Sequence, residues 1–453
     1  MDTATATLDG LTIRSEANRR PMAGLPITSL LRLSLFWLGL TAIDSVVTSV
    51  TQSRLKFEGL VAPESIGSSL AIMAALTFGF SFFIQPTVGS ISDYTTTRWG
   101  RRKPYIVAGA ICDGVFLIGI ATASTFVALA AFVTLLAVST NVARGPFQGY
   151  VPDLLPDHQV GLGSALVGLM QVVGNIVGFG LAALANITGN FGLALAAVAI
   201  IELVTMISVV VRVPNGPPAR PRNGKSWRSI AAETWGTDIL REKSYIWLLA
   251  SRLLVLMGGA SLVNFVVLYL VDVHGLTQQE VGTAQLAMIA AVAVAAMAAI
   301  IPSARISDRV GRKPVIYVSM ALGAVSLVIA ALAPNIPVAV VAAAVFGGSQ
   351  GTFLAVDWAL MTDIIPKAAS GRYMGLSNVA TQSSTTIAVI IGGLLLDAIA
   401  RMALGPGAGA RVILFVGVAY FVLGALALRA VVEPPPALKR AGLAPAPVSG
   451  PPG

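Results

Sequence analysis

Twelve apolar runs follow one another along this chain, most of them twenty residues or longer, with short polar segments between them. They fall at about 29–51, 66–90, 104–122, 125–148, 161–187, 190–212, 244–271, 278–302, 314–333, 336–361, 371–397 and 409–431. About 20 apolar residues coiled as a helix match the hydrocarbon core of a bilayer. Apolar residues make up 55% of the 453 positions and charged ones only 11%, too little polar surface to cover a water-soluble fold. In lipid every backbone polar group needs an internal partner, and twelve separate runs meet that need as helices. The expected fold class is therefore an all-α membrane protein with twelve transmembrane helices.

The charges sit between the runs. The net charge of +9 arises from Lys and Arg in the connecting segments, the pattern of membrane topogenesis rather than of nucleic-acid binding. Placing both termini in the cytoplasm puts Arg14, Arg19, Arg20, the cluster from Arg98 to Lys103, the 213–243 connector and the cluster from Arg305 to Lys313 inside. Only Arg54, Lys56, Arg401 and Arg411 are then left in outside loops. The single cysteine, Cys112, permits no intramolecular disulfide. Gly224-Lys225-Ser226 has Ala219 where a phosphate-binding loop needs Gly, and no metal cluster or nucleophile triad is present. No cofactor and no enzymatic activity are expected.

The two halves of the chain repeat. Pro104 of Gly100-Arg-Arg-Lys-Pro and Pro314 of Gly311-Arg-Lys-Pro lie 210 residues apart. So do Asp153 and Asp363, in Val151-Pro-Asp-Leu-Leu-Pro and Met361-Thr-Asp-Ile-Ile-Pro, and so do Gly161 and Gly371. Three landmarks in one register imply two pseudo-symmetric six-helix bundles, 29–212 and 244–431, facing each other across a mid-membrane cavity. A tail at 1–28, a linker at 213–243 and a Pro-rich tail at 432–453 complete the expected division, both tails being cytoplasmic.

The loop after the second run reads Gly89-Ser-Ile-Ser-Asp93 and then Arg98-Trp-Gly100-Arg101-Arg102-Lys103-Pro104; its counterpart carries Asp308, Gly311, Arg312 and Lys313. An Asp at a helix end, a tight Gly turn and a cationic cluster form a breakable latch. Asp153, Asp363 and Asp357, which stands beside Trp358, join the candidate cytoplasmic gate. These motifs resemble the major facilitator superfamily, and the likeness covers essentially the whole chain. Gln85-Pro86-x-x-Gly89, Ser92-Asp93, Arg98 to Ile106 and Gly145-Pro146 resemble its sucrose-transporter-like branch more narrowly, and are similar to the glycoside-pentoside-hexuronide:cation symporters. The resemblance implies the major facilitator fold and cation-coupled sugar uptake. One position departs: the acidic residue of the sucrose transporters' fourth helix falls at Ala137.

Ionisable residues inside membrane helices are functional candidates by default. Asp44, Asp113 and Glu202 are the candidates for ion coupling, Asp44 first because the resemblance implies that the first and seventh helices line the cavity. Asn264 is the seventh-helix counterpart of Asp44. Asn141, Arg144 and Gln148 share one helical face, while Gln171 with Asn175 and Asn378 with Gln382 are i, i+4 amide pairs. Amides and a guanidinium suit hydroxyl groups of a substrate, and interhelical bonding without a ligand is the competing account. The expected function is secondary active transport by alternating access, with a sugar or glycoside and a proton or another cation as cargo. The chain is expected to work as a monomer in the cell membrane, with lipid and a small-molecule substrate as its partners. An efflux carrier for amphipathic compounds and a non-transporting assembly factor or receptor fit the same fold.

Overall fold

The structure, a computed structural model, describes residues 24–155, 159–215, 226, 243–364, 370–402 and 404–431. Residues 1–23 of the N-terminal tail, the C-terminal tail and most of the linker lie outside the described residues. So do the side chains of Asp363, Asn378 and Gln382, three of the candidate site residues.

The described residues hold twelve helices long and apolar enough to cross a membrane. In the first half these are α1 (Ile27–Phe57), α2 (Ile66–Asp93), α3 (Lys103–Thr122), α4 (Phe126–Gln148), α5 (Val160–Thr188) and α6 (Phe191–Arg212). The second half holds α7 (Lys243–Val263), α8 (Gln278–Val310), α9 (Arg312–Leu332), α10 (Ile336–Ile364), α11 (Ser370–Arg401) and α12 (Ala408–Arg429). Their ends follow local chemistry. Thr125 and Asn190 accept the backbone N–H of Ala128 and Leu193 at the starts of α4 and α6, and Thr277 with Glu280 closes a capping box on α8. Gly189 ends α5 in the left-handed conformation.

Two boundaries bear on the joint between the halves or on the loop motif. The eighth helix runs on to Val310, because the polar turn of Ser307 and Asp308 stays helical until Gly311 breaks it at φ 100°. The seventh run is interrupted at Asn264 and Phe265 and resumes as a nine-residue helix over Val266–His274. The interruption releases the backbone N–H of Val267, which donates to Gln52 Oε1 of α1 at 3.2 Å. A break in one half is thus satisfied by a side chain of the other.

Each half buries an apolar cluster, and that of the first half runs on into Phe265, Leu268, Val389, Leu396 and Ile413 of the second. In the first, Ile43, Val46 and Val50 of α1 pack with Leu117, Leu129 and Val198; in the second, Val255, Leu327, Phe346 and Phe421 pack together. Since successive helices alternate direction, one membrane face carries the start of α1 and the other carries the α1–α2, α5–α6, α7–α8 and α11–α12 connections. These are called the near and far faces below.

Candidate functional site

Where α2 and α4 cross, the backbone sets the geometry. A Cβ placed on Gly145 would stand 2.4 Å from the carbonyl oxygen of Gln85, so only glycine lets the two helices touch. The contact lies beside Pro86 and Pro146, which interrupt the hydrogen-bond ladders of both helices. Beside it opens a cavity of about 620 Å³. Asp44, Thr140, Asn141 and Arg144 line it, and Gln85, Gln148, Asp93 and Arg102 carry its wall to the near face. Thr385 and Thr386 of α11 form the part contributed by the second half.

The cavity's polar groups are linked to one another. Arg144 Nη2 donates to Asp44 Oδ2 at 2.6 Å, tying α4 to α1. The guanidinium is buried while the carboxylate is about half exposed, so Asp44 is the end of the pair that faces the cavity. Asn141 Nδ2 donates to Ser81 Oγ at 3.0 Å, and Gln85 Nε2 to Gln148 Oε1 at 3.0 Å. Phe78 and Phe82, one helical turn apart, line the same wall with their ring centroids 5.4 Å from each other.

Behind that wall, away from the cavity, lie Asp113 of α3 and Glu202 of α6, both fully buried. Ser139 and Thr140 donate their hydroxyls to the two oxygens of Asp113. The two carboxyls are close enough to interact, and Arg144 and Asp44 act on Glu202 as well. Nε of Arg144 has no hydrogen-bond partner. The three acids considered for coupling therefore belong to one cluster with Arg144.

The second half has a corresponding link of opposite sense. There Arg252 on α7 pairs with Asp357 on α10, with both side chains buried. The first and fourth helices of each half are joined by an Arg–Asp pair, with acid and base exchanged.

At the near face the loop motif folds into a knot within the first half. Arg101 Nη2 and Arg102 Nε donate to Asp153 Oδ2 at 2.6 and 2.7 Å, and Arg102 Nη2 donates to Asp93 Oδ1 at 3.0 Å. Arg102 also reaches the carbonyl of Pro146 at 2.8 Å, so a single guanidinium ties the ends of α2 and α4. Gly100 makes the turn at φ 92°, a backbone conformation that favours glycine. Gly149 leaves the room the guanidinium needs: a Cβ there would sit 1.8 Å from Arg102 Nη1. In the second half Arg312 pairs with Asp308 at 2.7 Å, a contact one turn long. Arg98 lies with its guanidinium carbon 5.8 Å from the ring centroid of Trp99.

Other candidates serve helix packing. Asn175 Oδ1 accepts from Ser45 Oγ at 2.8 Å, and the backbone carbonyl of Gln171 accepts from Thr41 Oγ1 at 3.2 Å, joining α5 to α1. Asn264 donates to the carbonyl of Ala260 at 3.1 Å, at the break after α7. Gln171, Asn175 and Asn264 are not part of the cavity wall.

Sequence reasoning missed the far-face joint between the halves. Asp397 of α11 accepts the backbone N–H of Gly67 and of Ser68, at 2.8 and 2.7 Å, at the N-terminus of α2. The helices touch there main chain to main chain, since a Cβ on Gly67 would lie 2.0 Å from the carbonyl oxygen of Gly393. Asn186 of α5 donates to Gln285 of α8, which donates in turn to Ser49 of α1, each at 3.0 Å. Lys56 pairs with Asp272 at 2.5 Å. Arg54, read from sequence as a loop cation, is instead buried, and donates to the carbonyls of Ile120 and Ala123. In the sequence Asp397 stands at the end of an apolar run, and an intramembrane acid in α11 is the one signal it offers.

A family model described as Major Facilitator Superfamily matches residues 28–301 and 281–450. The sucrose transport protein SUC4 of Arabidopsis thaliana is 30% identical over 115 residues, which are 21% of this chain and 22% of that protein. The chain thus matches only about a fifth of the length of such curated relatives. Among solved structures, a bacterial homolog to the human lysosomal transporter Spinster, inward-facing and occupied, superposes with a TM-score of 0.69 at 12% identity, over 89% of this chain and 96% of the other. The nucleoside transporter NupG does so with a TM-score of 0.65 at 15% identity, over 89% and 98%.

Proposed function

The chain belongs to the major facilitator superfamily, and from that premise we propose that this multi-pass membrane transporter moves a sugar or glycoside together with protons by alternating access. The observation that carries the proposal is the Asp44–Arg144 pair set into a cavity wall of amides, hydroxyls and two phenyl rings. A polyhydroxylated solute is recognised by that combination: amides and hydroxyls read its hydroxyl groups, and aromatic faces cover its C–H surface. Asp44 is the group that a proton from the cavity reaches, and protonation removes the charge that holds Arg144. Coupling then follows from one ion pair being made or broken as cargo binds.

The partial likeness to sucrose transport proteins supports the cargo class, and NupG, a nucleoside transporter of the same fold, makes nucleosides the natural comparison in a substrate panel. The far-face joint and a cavity reaching the near face fit a carrier open to the side of its termini. On the charge distribution of the loops that side is the cytoplasm of a cell-membrane protein.

The test uses the full chain in proteoliposomes with an imposed pH gradient. Sucrose is expected to accumulate, and Asp44→Asn to abolish accumulation while sparing sucrose exchange. Unchanged accumulation in Asp44→Asn rejects the assignment of coupling to this pair, and no movement of sucrose or of any glycoside in the wild type rejects the cargo.

A further inference from the structure

A cargo shifts a two-state carrier only through contacts that differ between the states, so a cargo held by one half alone does not favour closure of the other. The cavity wall is unequal in this respect. Asp44, Ser81, Asn141 and the two phenyl rings belong to the first half, and among the described residues only Thr385 and Thr386 of α11 line it from the second. Thr385 is exposed. A threonine hydroxyl both donates and accepts, which suits a hydroxyl group of a solute.

The ion pair of the second half reaches this part of α11. Arg252 of α7 donates through Nη1 to Asp357 of α10 and through Nε to Thr381 Oγ1 of α11, the latter at 3.3 Å, so one guanidinium joins three helices. Thr381 and Thr385 are four residues apart and share one face of α11. Beyond Thr385 the helix is seated by glycine: a Cβ on Gly392 would lie 2.7 Å from the Phe265 ring, and one on Gly393 2.2 Å from the carbonyl oxygen of Gly67. Thr385 thus stands between a close-packed seat and the bond from Arg252. The two Arg–Asp pairs also differ in their access to the cavity. Asp44 is half exposed to it, whereas both members of the Arg252–Asp357 pair are buried and neither lines it. Breaking a buried ion pair leaves a charge uncompensated, which suits a fixed strut better than a switch.

Resting on the reading of the cargo as polyhydroxylated, we propose that Thr385 is the second half's contact for a cargo hydroxyl, and that Arg252, held by Asp357, is a positioning residue that keeps α11 turned so that Thr385 faces the cavity. Thr381 is the link between them. The two pairs then divide the work: the one in the first half opens and closes with its exposed acid, and the one in the second half stays made and sets the geometry of recognition. A solute with no hydroxyl where Thr385 reaches leaves that group without a partner and binds less well.

Labelling of the purified full chain tests the positioning without reference to cargo. In a Cys112→Ala background, the cysteine of Thr385→Cys is expected to react readily with a water-soluble maleimide. Adding Arg252→Met together with Asp357→Leu, which replaces the pair by apolar groups, is expected to slow that reaction at least fivefold, and an equal rate overturns the positioning role. Should this variant fail to fold, Thr381→Val, which removes only the hydroxyl that Arg252 holds, gives the second reading; slowing of at least twofold supports the role and an equal rate overturns it. In proteoliposomes Thr385→Val is expected to raise the KM for sucrose at least fivefold, with a smaller effect on the maximal rate, while Thr385→Ser restores the KM. A KM in Thr385→Val equal to wild type's overturns the contact. If wild type carries uridine and not sucrose, the sugar reading fails and the same comparison on uridine decides the contact. If it carries neither, the hydroxyl contact falls with the cargo, while the labelling rates still decide the role of Arg252.

Discussion

Arg102 spends its guanidinium on three partners: Asp153 through Nε, Asp93 through Nη2 and the Pro146 carbonyl through Nη1. A lysine keeps the charge but has no fork with which to span them. Arg102→Lys is therefore expected to lower stability by about 2 kcal/mol, the cost of leaving part of a buried network unpaired. The check is a thermal unfolding curve of the purified protein, and a midpoint equal to wild type's counts against the knot. Gly149 belongs to the same device. Gly149→Leu drives a side chain into the space of Arg102 and is expected to destabilise at least as much by the same measurement. Lys103 and Lys313, by contrast, donate to the carbonyls of Val213 and Val431 just beyond α6 and α12, at 2.9 and 2.6 Å. Two lysines read from sequence as topogenic charges are thus also helix caps.

Among elements, α2 and α11 meet through glycine backbones and one carboxylate aimed at a helix N-terminus. Asp397→Asn removes the charge from two charge-assisted bonds, and a loss of about 2 kcal/mol shifts the balance between far-face-closed and far-face-open states by roughly 30-fold. Gly393→Ala is expected to act in the same direction by steric exclusion, because the backbones approach too closely there to admit a methyl group. Both are read by labelling Thr48→Cys, a cavity residue, with a membrane-impermeant maleimide applied from the far side in a Cys112→Ala background. Faster labelling than in the parent is expected, and equal rates refute the joint. The broken seventh helix is a different kind of contact, since its freed N–H at Val267 binds Gln52 and not a neighbour in its own helix.

For the whole molecule, the orientation rests on the cations of the loops. Glu64→Cys at the far face is expected to react with an impermeant maleimide on intact cells, and Thr96→Cys at the near face only after permeabilisation; the opposite pattern inverts the topology. Much of this architecture is legible in the sequence, because helix length in lipid is set by bilayer thickness and a duplicated register survives as Pro104/Pro314 and Asp153/Asp363. The site is legible only as separate residues. A charge at membrane depth identifies Asp44, Arg144, Asp113 and Glu202 one at a time, but their meeting depends on helix rotation and tilt that no local spacing encodes. The far-face joint was illegible for a similar reason: Asp397 and Gly67 lie 330 positions apart, and hydrogen bonds to a backbone leave no pattern of side-chain types.

The contact of Gly67 with Gly393 has a mechanical meaning. Side chains yield by changing rotamer, so an interface made of them has compliance and a graded range of closed positions. Main chain against main chain has almost none. The far-face joint therefore behaves as an end stop whose closed position is fixed by covalent geometry, and substitutions elsewhere will alter how often the stop is reached rather than where it lies.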